Sequence, residues 1–286
     1  MNHLMIRILV PVTVLLLSVP AAAFARTESE SRTLTETLTF ADPGATHVVE
    51  VDNIFGSVTV VGDDGDEVRL SARETISGRS PEDVAEAKRD VELAVVVDGD
   101  AIRFIVDGPF RRPDGGIQWQ DVDYEVSYDI ELTVPRDVDL EVRTVNDGEI
   151  SIRGVTGSFK VSNVNGGIEM LDVAGGGHVV TVNGGIELRF AENPDAAWSL
   201  KTVNGNLRAA FADGLSADMR FKTFNGEVWS DFDSAPRELQ RPQPRKRGGH
   251  FVYKRDRSFG VRVADGGPEL SFDTLNGNIY IRRVNR

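Results

Sequence analysis

The chain has 286 residues, no cysteine, four histidines and a formal net charge of −13. The lack of cysteine excludes disulfides, thiol catalysis and cysteine-ligated metals, and the scattered histidines argue against a histidine metal centre. The acidic balance argues against general nucleic-acid binding. We therefore expect no cofactor, no metal and no nucleic-acid partner.

Residues 1–25 have the pattern of a secretory signal peptide. Arg7 supplies positive charge, residues 8–19 are an apolar run, and residues 23–25 (Ala-Phe-Ala) form a small-x-small cleavage site. The apolar run has about 12 residues, whereas a helix needs roughly 20 to span a bilayer. We expect cleavage and export to the periplasm or the cell surface, with no transmembrane anchor left on the mature chain.

Residues 26–140 are predicted to form a β-rich capping region with one short helix. The alternation over residues 67–75 is typical of a strand. A capping box with proline at the first helical position, from Ser80 to Asp83, predicts a helix of about 10–12 residues. This region also contains a degenerate first copy of a repeat that recurs later in the chain. Phe55 stands there at the position that is asparagine in the later copies. The acidic turn at residues 63–66 could bind Ca²⁺, but a plain acidic turn is the preferred interpretation.

The main signal is a short phrase centred on asparagine, which recurs six times within residues 141–286, as Thr-Val-Asn-Gly in two copies and as close variants of it in the other four. We expect these asparagines to form one column of turns: Asn146, Asn165, Asn183, Asn204, Asn225 and Asn276. Apolar residues lie four and one places before each asparagine, so their parity requires a bend between strand segments. The adjacent glycine is expected to supply left-handed backbone angles at that bend.

Two architectures use such a phrase. Asn-Gly between alternating runs is typical of hairpins, which would form an antiparallel meander. A column of like residues repeating every 18–21 positions favours parallel stacking, with asparagine side chains bonded along the column. We therefore predict an all-β chain with a single-stranded β-helix, or β-solenoid, of about 6–8 short coils.

A basic, proline-rich insertion occupies residues 236–257 and includes Arg245, Lys246 and Arg247. One interpretation is a solvated excursion from the stack. The other is a loop that contacts an anion, such as lipopolysaccharide phosphate or an acidic partner.

The position four residues after each asparagine is predicted to face outward. It carries two carboxylates, Glu169 and Glu187, which are either an acid–base pair or a solvated ladder. It continues with Arg208, Trp229 and Tyr280, which we predict to form a ligand or partner patch. The alternative is that other parts of the chain cover these aromatic side chains.

The repeated Thr-Val-Asn-Gly-x-Ile phrase, with the segment from Tyr124 to Arg136 and the signal peptide, resembles the bacterial "putative adhesin" family of β-strand repeats. The resemblance covers residues 45–283, is strongest over 123–230, and implies an exported β-helix-like fold without established catalytic residues. We therefore expect a non-enzymatic structural or interaction protein that binds a cell-envelope glycan or protein. The alternative is a carbohydrate-binding or polysaccharide-acting protein on the same scaffold.

Overall fold

A computed structural model describes residues 28–42, 44–112, 122–239, 245–247, 250–252 and 258–284, with the two short ranges 245–247 and 250–252 described by their backbone alone. The described part contains one helix, α1 (Pro81–Asp90). Its strands are β1 (Glu28–Thr39), β2 (Val48–Asp52), β3 (Val58–Asp63), β4 (Glu67–Gly78), β5 (Glu92–Asp98), β6 (Ala101–Asp107), β7 (Tyr124–Pro135), β8 (Asp139–Arg143), β9 (Ile150–Arg153), β10 (Phe159–Ser162), β11 (Ile168–Val173), β12 (Gly177–Val180), β13 (Ile186–Phe190), β14 (Trp198–Asn204), β15 (Leu207–Phe211), β16 (Ala217–Asn225), β17 (Val228–Ser230), β18 (Ser234–Arg237), β19 (Arg245–Arg247), β20 (His250–Val252), β21 (Phe259–Val263), β22 (Glu269–Asn276) and β23 (Ile279–Arg283). The expected signal segment lies outside the described residues.

The chain is all-β as expected, but the predicted single-stranded β-helix is wrong. The strands form two large mixed sheets of ten and eleven strands, besides the separate β19–β20 pair. Successive repeat strands alternate between the two sheets, since β10, β12 and β14 belong to one and β11, β13 and β15 to the other. Long antiparallel strands join the same sheets, and the repeat pattern contains no information about them.

The chain divides into two units, Met1–Val155 and Thr156–Arg286. In the first unit, one sheet has the strand order β1-β4-β7-β3-β9 and the other has β8-β2-β6-β5. Strands β1, β4 and β7 pair antiparallel, whereas β7, β3 and β9 pair parallel. Alternate residues of β3 and β7, such as Val58, Val60, Ile130 and Leu132, are buried, as expected for strands with one face on a core.

Helix α1 begins as the sequence predicts. The Asp83 backbone N–H donates to Ser80 Oγ at 3.2 Å, and the Ser80 N–H donates to Asp83 Oδ2 at 2.9 Å. This capping box satisfies N–H groups that lack partners in the first turn. Val84 and Ala87 are buried, so the short apolar stripe of the helix packs inward.

A buried ionic cluster joins the three long strands of the first unit. Glu74 on β4 is 2% exposed and accepts a hydrogen bond from Arg32 Nη2 on β1 at 2.9 Å. The Tyr128 hydroxyl on β7 also donates to Glu74. Burial, followed by the Glu74 carboxylate, raises the pKa of Tyr128 above its usual range. Because a buried carboxylate needs partners, this cluster fixes the register of β1, β4 and β7.

In the second unit, the strand orders are β11-β13-β15-β23-β17 and β18-β21-β16-β22-β14-β12-β10. All the repeat strands pair parallel, whereas β21 pairs antiparallel with β16 and β18. Side chains of both sheets meet in the core, where the ring of Trp198 lies 5.2 Å from that of Phe190 and 5.5 Å from that of Phe159. The last copy of the repeat, on β22 and β23, lies between the two copies that precede it in sequence.

Candidate functional site

The asparagines of the repeat form a hydrogen-bonded column in the second unit. Each side-chain amide donates to the Oδ1 atom of its neighbour: Asn183 to Asn165 at 2.8 Å, Asn204 to Asn183 at 2.8 Å, Asn276 to Asn204 at 2.7 Å, and Asn225 to Asn276 at 2.7 Å. Asn146 belongs to the first unit, where its N–H donates to Ile54 O at 2.8 Å and it forms a parallel bridge with Phe55. The column therefore locks neighbouring turns in register.

A second column, of threonines, lies two places before the asparagines. Their hydroxyls donate to glycine carbonyls of neighbouring copies: Thr181 to Gly166, Thr202 to Gly184, Thr274 to Gly205 and Thr223 to Gly277, at 2.9–3.1 Å. Asn53 and Asn163 occupy the same position in their copies, which was not predicted from the sequence. The Asn53 side-chain amide donates to Gly56 O at 3.1 Å and to Tyr128 O at 2.8 Å. The missed signal was an asparagine two places before the turn in both copies.

The glycines that follow the asparagines allow the turns to approach closely. A Cβ atom at Gly184, Gly205 or Gly277 would lie 1.9–2.1 Å from a carbonyl oxygen of the neighbouring turn. The prediction that these three glycines have left-handed backbone angles is wrong, since none of them has a positive φ. Their role is to leave room for stacking rather than to relieve backbone strain.

Five residues share one outward row on the sheet of β11, β13, β15, β23 and β17. In sheet order, they are Glu169, Glu187, Arg208, Tyr280 and Trp229. Sequence order alone would place Trp229 between Arg208 and Tyr280, but the strand order places Tyr280 in the middle. The row is thus acidic at one end and carries an arginine and two aromatic side chains at the other.

The aromatic end of this row, the Arg208–Tyr280–Trp229 surface, combines two aromatic side chains with nearby guanidinium groups. The guanidinium of Arg208 lies 5.4 Å from the Tyr280 ring centroid, and that of Arg282 lies 5.3 Å from it. The side chain of Asn278 donates to the Tyr280 hydroxyl at 3.0 Å, which fixes the ring. Trp229 is 51% exposed. This surface can stack on a flat, weakly polar ligand face while offering cationic donors beside it.

The two flanking arginines differ in their partners. Arg282 donates to Asp231 Oδ1 at 2.9 Å, and the Arg283 backbone N–H with the Arg282 guanidinium lowers the pKa of Asp231. In the part of the chain that the structure describes, Arg208 belongs to no ion pair. Its guanidinium therefore keeps its hydrogen-bonding capacity for a ligand.

The other sequence-predicted groups lie apart from this surface or are described only in part. Arg245, Lys246 and Arg247 form strand β19, antiparallel to β20, but their side chains lie outside the described residues. In the acidic turn, Asp63 accepts from the Gly65 N–H at 2.8 Å and pairs with Arg69, and both contacts lower its pKa. Within the described ranges, no cluster of three potential metal ligands occurs.

Comparison with known proteins gives similarities at the level of structure alone. No family model matches the chain, and no curated protein matches it. The chain is similar to a solved "putative cell adhesion protein" from Clostridium sporogenes (10% identity, TM-score 0.41), which covers 91% of this chain and 100% of that one. It is also similar to a "putative adhesin" from Bacteroides fragilis (9% identity, TM-score 0.40), and this match covers 88% of this chain and 97% of that one. A third similar structure is a "putative lipid binding protein" from Parabacteroides distasonis (9% identity, TM-score 0.24), and this match covers 88% of this chain and 97% of that one.

Two of these three bacterial proteins bear the adhesion name that the repeat resemblance implies. Identities of 9–10% and TM-scores of 0.41 or less do not assign their functions to this chain. The one helix of the described residues is too short and too polar to span a bilayer.

Proposed function

We propose that this chain is an exported, non-enzymatic interaction protein that binds an anionic cell-envelope glycan at the Arg208–Tyr280–Trp229 surface. The observation that carries the proposal is the approach of two guanidinium groups to the Tyr280 ring, at 5.3 and 5.4 Å from its centroid, on a strand next to that of the exposed Trp229. Aromatic faces stack on the apolar faces of sugar rings, and guanidinium groups pair with carboxylates through parallel hydrogen bonds. Each sugar unit of a uronic-acid polymer has both an apolar ring face and a carboxylate.

The exposure of this row supports binding rather than catalysis. Polysaccharide-acting enzymes position an acid and a base on the two sides of the scissile bond of a bound sugar. Glu169 and Glu187, the candidate pair of that alternative, are both exposed neighbours on parallel strands. An open row of this kind suits a chain-like ligand with a carboxylate at Arg208 and sugar rings on the Tyr280 and Trp229 side of it.

The glycan proposal is tested by titrating the chain with oligogalacturonate or oligoalginate in a calorimeter, with neutral cellohexaose as the comparison. We expect the acidic oligomers to bind, and the Arg208→Gln and Tyr280→Ala variants each to bind about tenfold more weakly. Lys201→Ala is the matched control because it removes an exposed cation from the other sheet. Equal affinity of all four proteins, or equal binding of the neutral oligomer, would contradict the proposal.

The same samples distinguish binding from turnover. A non-enzymatic protein should release no new reducing ends and form no unsaturated products from the acidic oligomers over a day. Product formation that Glu169→Gln or Glu187→Gln abolishes would instead support the polysaccharide-acting alternative.

Export is proposed from the signal pattern of residues 1–25. Mass spectrometry of the protein recovered from a bacterial envelope or periplasmic fraction should find a mature N-terminus at Arg26. A cytoplasmic chain that retains Met1 would refute export without affecting the glycan proposal.

A further inference from the structure

The turn at residues 223–228 is the last in the asparagine column of the second unit. Between the other neighbouring turns of this column, the same backbone and side-chain groups form the hydrogen bonds. The Gly277 N–H, for example, donates to Asn225 O at 3.0 Å, the Ile279 N–H donates to Glu227 O at 2.9 Å, and Gly277 O accepts from the Thr223 hydroxyl. Gly184 and Gly205 make equivalent contacts with their neighbours. The bonds that hold one turn on another are therefore a fixed, repeated set.

At the last turn, the corresponding hydrogen-bonding groups on the outer side have no partner among the described residues. The Asn225 amide donates to Asn276, which leaves Asn225 Oδ1 as the terminal acceptor of the column. No described residue bonds to this oxygen, to the Gly226 N–H and C=O, or to the Val228 N–H. Strand β17 is the edge of its sheet, so these groups line an edge that is ready for another turn.

Charge at this edge selects what can bind there. Lys201, Asp273 and Lys222 lie side by side on β14, β22 and β16, and Lys222 Nζ lies 3.0 Å from Asp273 Oδ2. An acidic residue on the open side of Lys222 would continue this alternation. In a second row, Asn206 Oδ1 accepts from the Asn278 N–H and Asn278 Oδ1 from the Glu227 N–H, at 2.8 and 2.9 Å. The exposed Glu227 carboxylate ends that row, where it can accept a charge-assisted bond from a partner N–H.

Exposed apolar side chains concentrate at the same end. Of the large hydrophobic side chains that are exposed in the described residues, Phe224, Trp229, Phe259 and Leu275 belong to this region, at 46–54%. Thr223 lines both of the open grooves between them, of 330 and 450 Å³. The pairing of β16 with β21 ends at Phe221 and Phe259, so among the described strands none pairs with this side of β16 from Lys222 onward.

We propose that residues 222–230 bind an extended segment of a partner protein, added in parallel as one further strand and turn. The segment that binds has seven residues in this order: an acidic residue, Thr or Ser, any residue, Asn, Gly, any residue and an aliphatic residue. A head-to-tail second copy does not fit this role, because its first turn is already covered by β7. There, the Tyr128 N–H donates to Phe55 O at 2.9 Å, and Asn53 bonds to Tyr128 O.

The probe is a fluorescein-labelled peptide with the sequence of residues 273–282, Asp-Thr-Leu-Asn-Gly-Asn-Ile-Tyr-Ile-Arg, because this segment already fits the column within the protein. Anisotropy titration with the full chain should show saturable binding. A peptide with alanine at its first asparagine should bind at least fivefold more weakly, since it lacks the amide that donates to Asn225 Oδ1. No saturable binding of the parent peptide would overturn the proposal.

Protein variants locate the binding at the edge. Val228→Pro removes one edge N–H and should weaken binding at least tenfold, whereas the control Val228→Ala keeps that N–H and should stay within about threefold of the parent. If the proline variant fails to fold, charge reversal is the second test. Lys222→Glu should weaken the parent peptide and strengthen a peptide with lysine at its first position, and added salt should reduce both effects. Equal affinities throughout would overturn the proposal.

Two further readouts distinguish this edge from the glycan surface and from a contact between two copies of the chain. Lys222 lies on β16, in the other sheet from Arg208, Tyr280 and Trp229, so Lys222→Glu should leave the affinity for the acidic glycan unchanged. A failure of the peptide proposal can therefore be told from a failure of the glycan proposal. Dimers that form without peptide binding, and that Val228→Pro dissociates, would contradict the proposal and identify a second copy as the occupant.

Discussion

Asn276 donates its side-chain amide to Asn204 Oδ1 at 2.7 Å across 72 residues of sequence. Asn225 lies between them in the chain, yet it occupies the far side of Asn276 and donates to it at 2.7 Å. The last repeat is therefore inserted between the two preceding ones. This order brings Tyr280 next to Arg208, and it leaves the turn at Asn225 as the open end of the column.

The asparagine column should contribute measurably to stability. Asn204→Ala removes the hydrogen bonds to both Asn183 and Asn276 and leaves their polar atoms without these partners. We expect a loss of about 1–2 kcal/mol in the free energy of unfolding, measured by urea denaturation. Asn225→Ala is the matched control because it removes one such bond at the end of the column, and its loss should be about half as large. A larger loss for Asn225→Ala would count against the column as the source of stability.

The close packing of the turns predicts an intolerant glycine. A Cβ atom at Gly205 would lie 2.0 Å from Gly184 O, so Gly205→Ala should cost about 3 kcal/mol or prevent folding. At Gly44, a Cβ atom would make only an ordinary contact, 3.5 Å from Asp42 Oδ1, and alanine there should change stability by less than about 0.5 kcal/mol. Thermal denaturation of both variants checks the contrast, and similar melting temperatures would refute it.

The buried cluster in the first unit predicts an asymmetry between its members. Arg32→Ala leaves the Glu74 carboxylate buried without its cation and should cost about 3 kcal/mol. Adding Glu74→Gln to that variant removes the uncompensated charge and should recover part of the loss. Denaturant midpoints of the single and double variants test this, and a double variant less stable than Arg32→Ala would contradict it.

Alkaline titration should reveal late-ionising tyrosines. Burial, followed by Asp90, raises the pKa of Tyr124 to about 12, and burial with Glu74 raises the pKa of Tyr128 above its usual range. Because each folded pKa is raised, the resulting stability is complete below about pH 10 and is lost as the pH rises toward the folded values. Tyrosinate absorbance should therefore show a late component, which Tyr128→Phe and Tyr124→Phe each reduce. Ionisation of all the tyrosines near pH 10 in the native chain would exclude this assignment.

The sequence predicts the local geometry of the repeat better than its assembly. The parity of apolar positions around Asn183 requires a bend, and the structure has a turn there that carries the chain from β12 to β13 in the other sheet. Helix α1 could be predicted because the Ser80–Asp83 capping box is a local signal.

The order of the copies could not be predicted, because neighbouring copies are chemically interchangeable. Phe221 and Phe272 occupy equivalent positions, and either would pack beside Leu200 in the same way. The two mixed sheets were missed for a different reason. Pairing among β1, β4 and β7 depends on long-range partners such as Arg32 and Glu74, which no repeat specifies.

The strand order of the second unit underlies both the proposed glycan surface and the open edge, and disulfide trapping tests it directly. The chain has no cysteine, so two can be introduced without competing thiols. Neighbouring parallel strands lie about 4.8 Å apart, within the range that a disulfide bridges. The Asn204→Cys/Asn276→Cys variant should oxidise rapidly and gain thermal stability, whereas Asn204→Cys/Asn225→Cys should remain reduced. Rapid bridging of positions 204 and 225, with none between 204 and 276, would contradict the arrangement described for this protein.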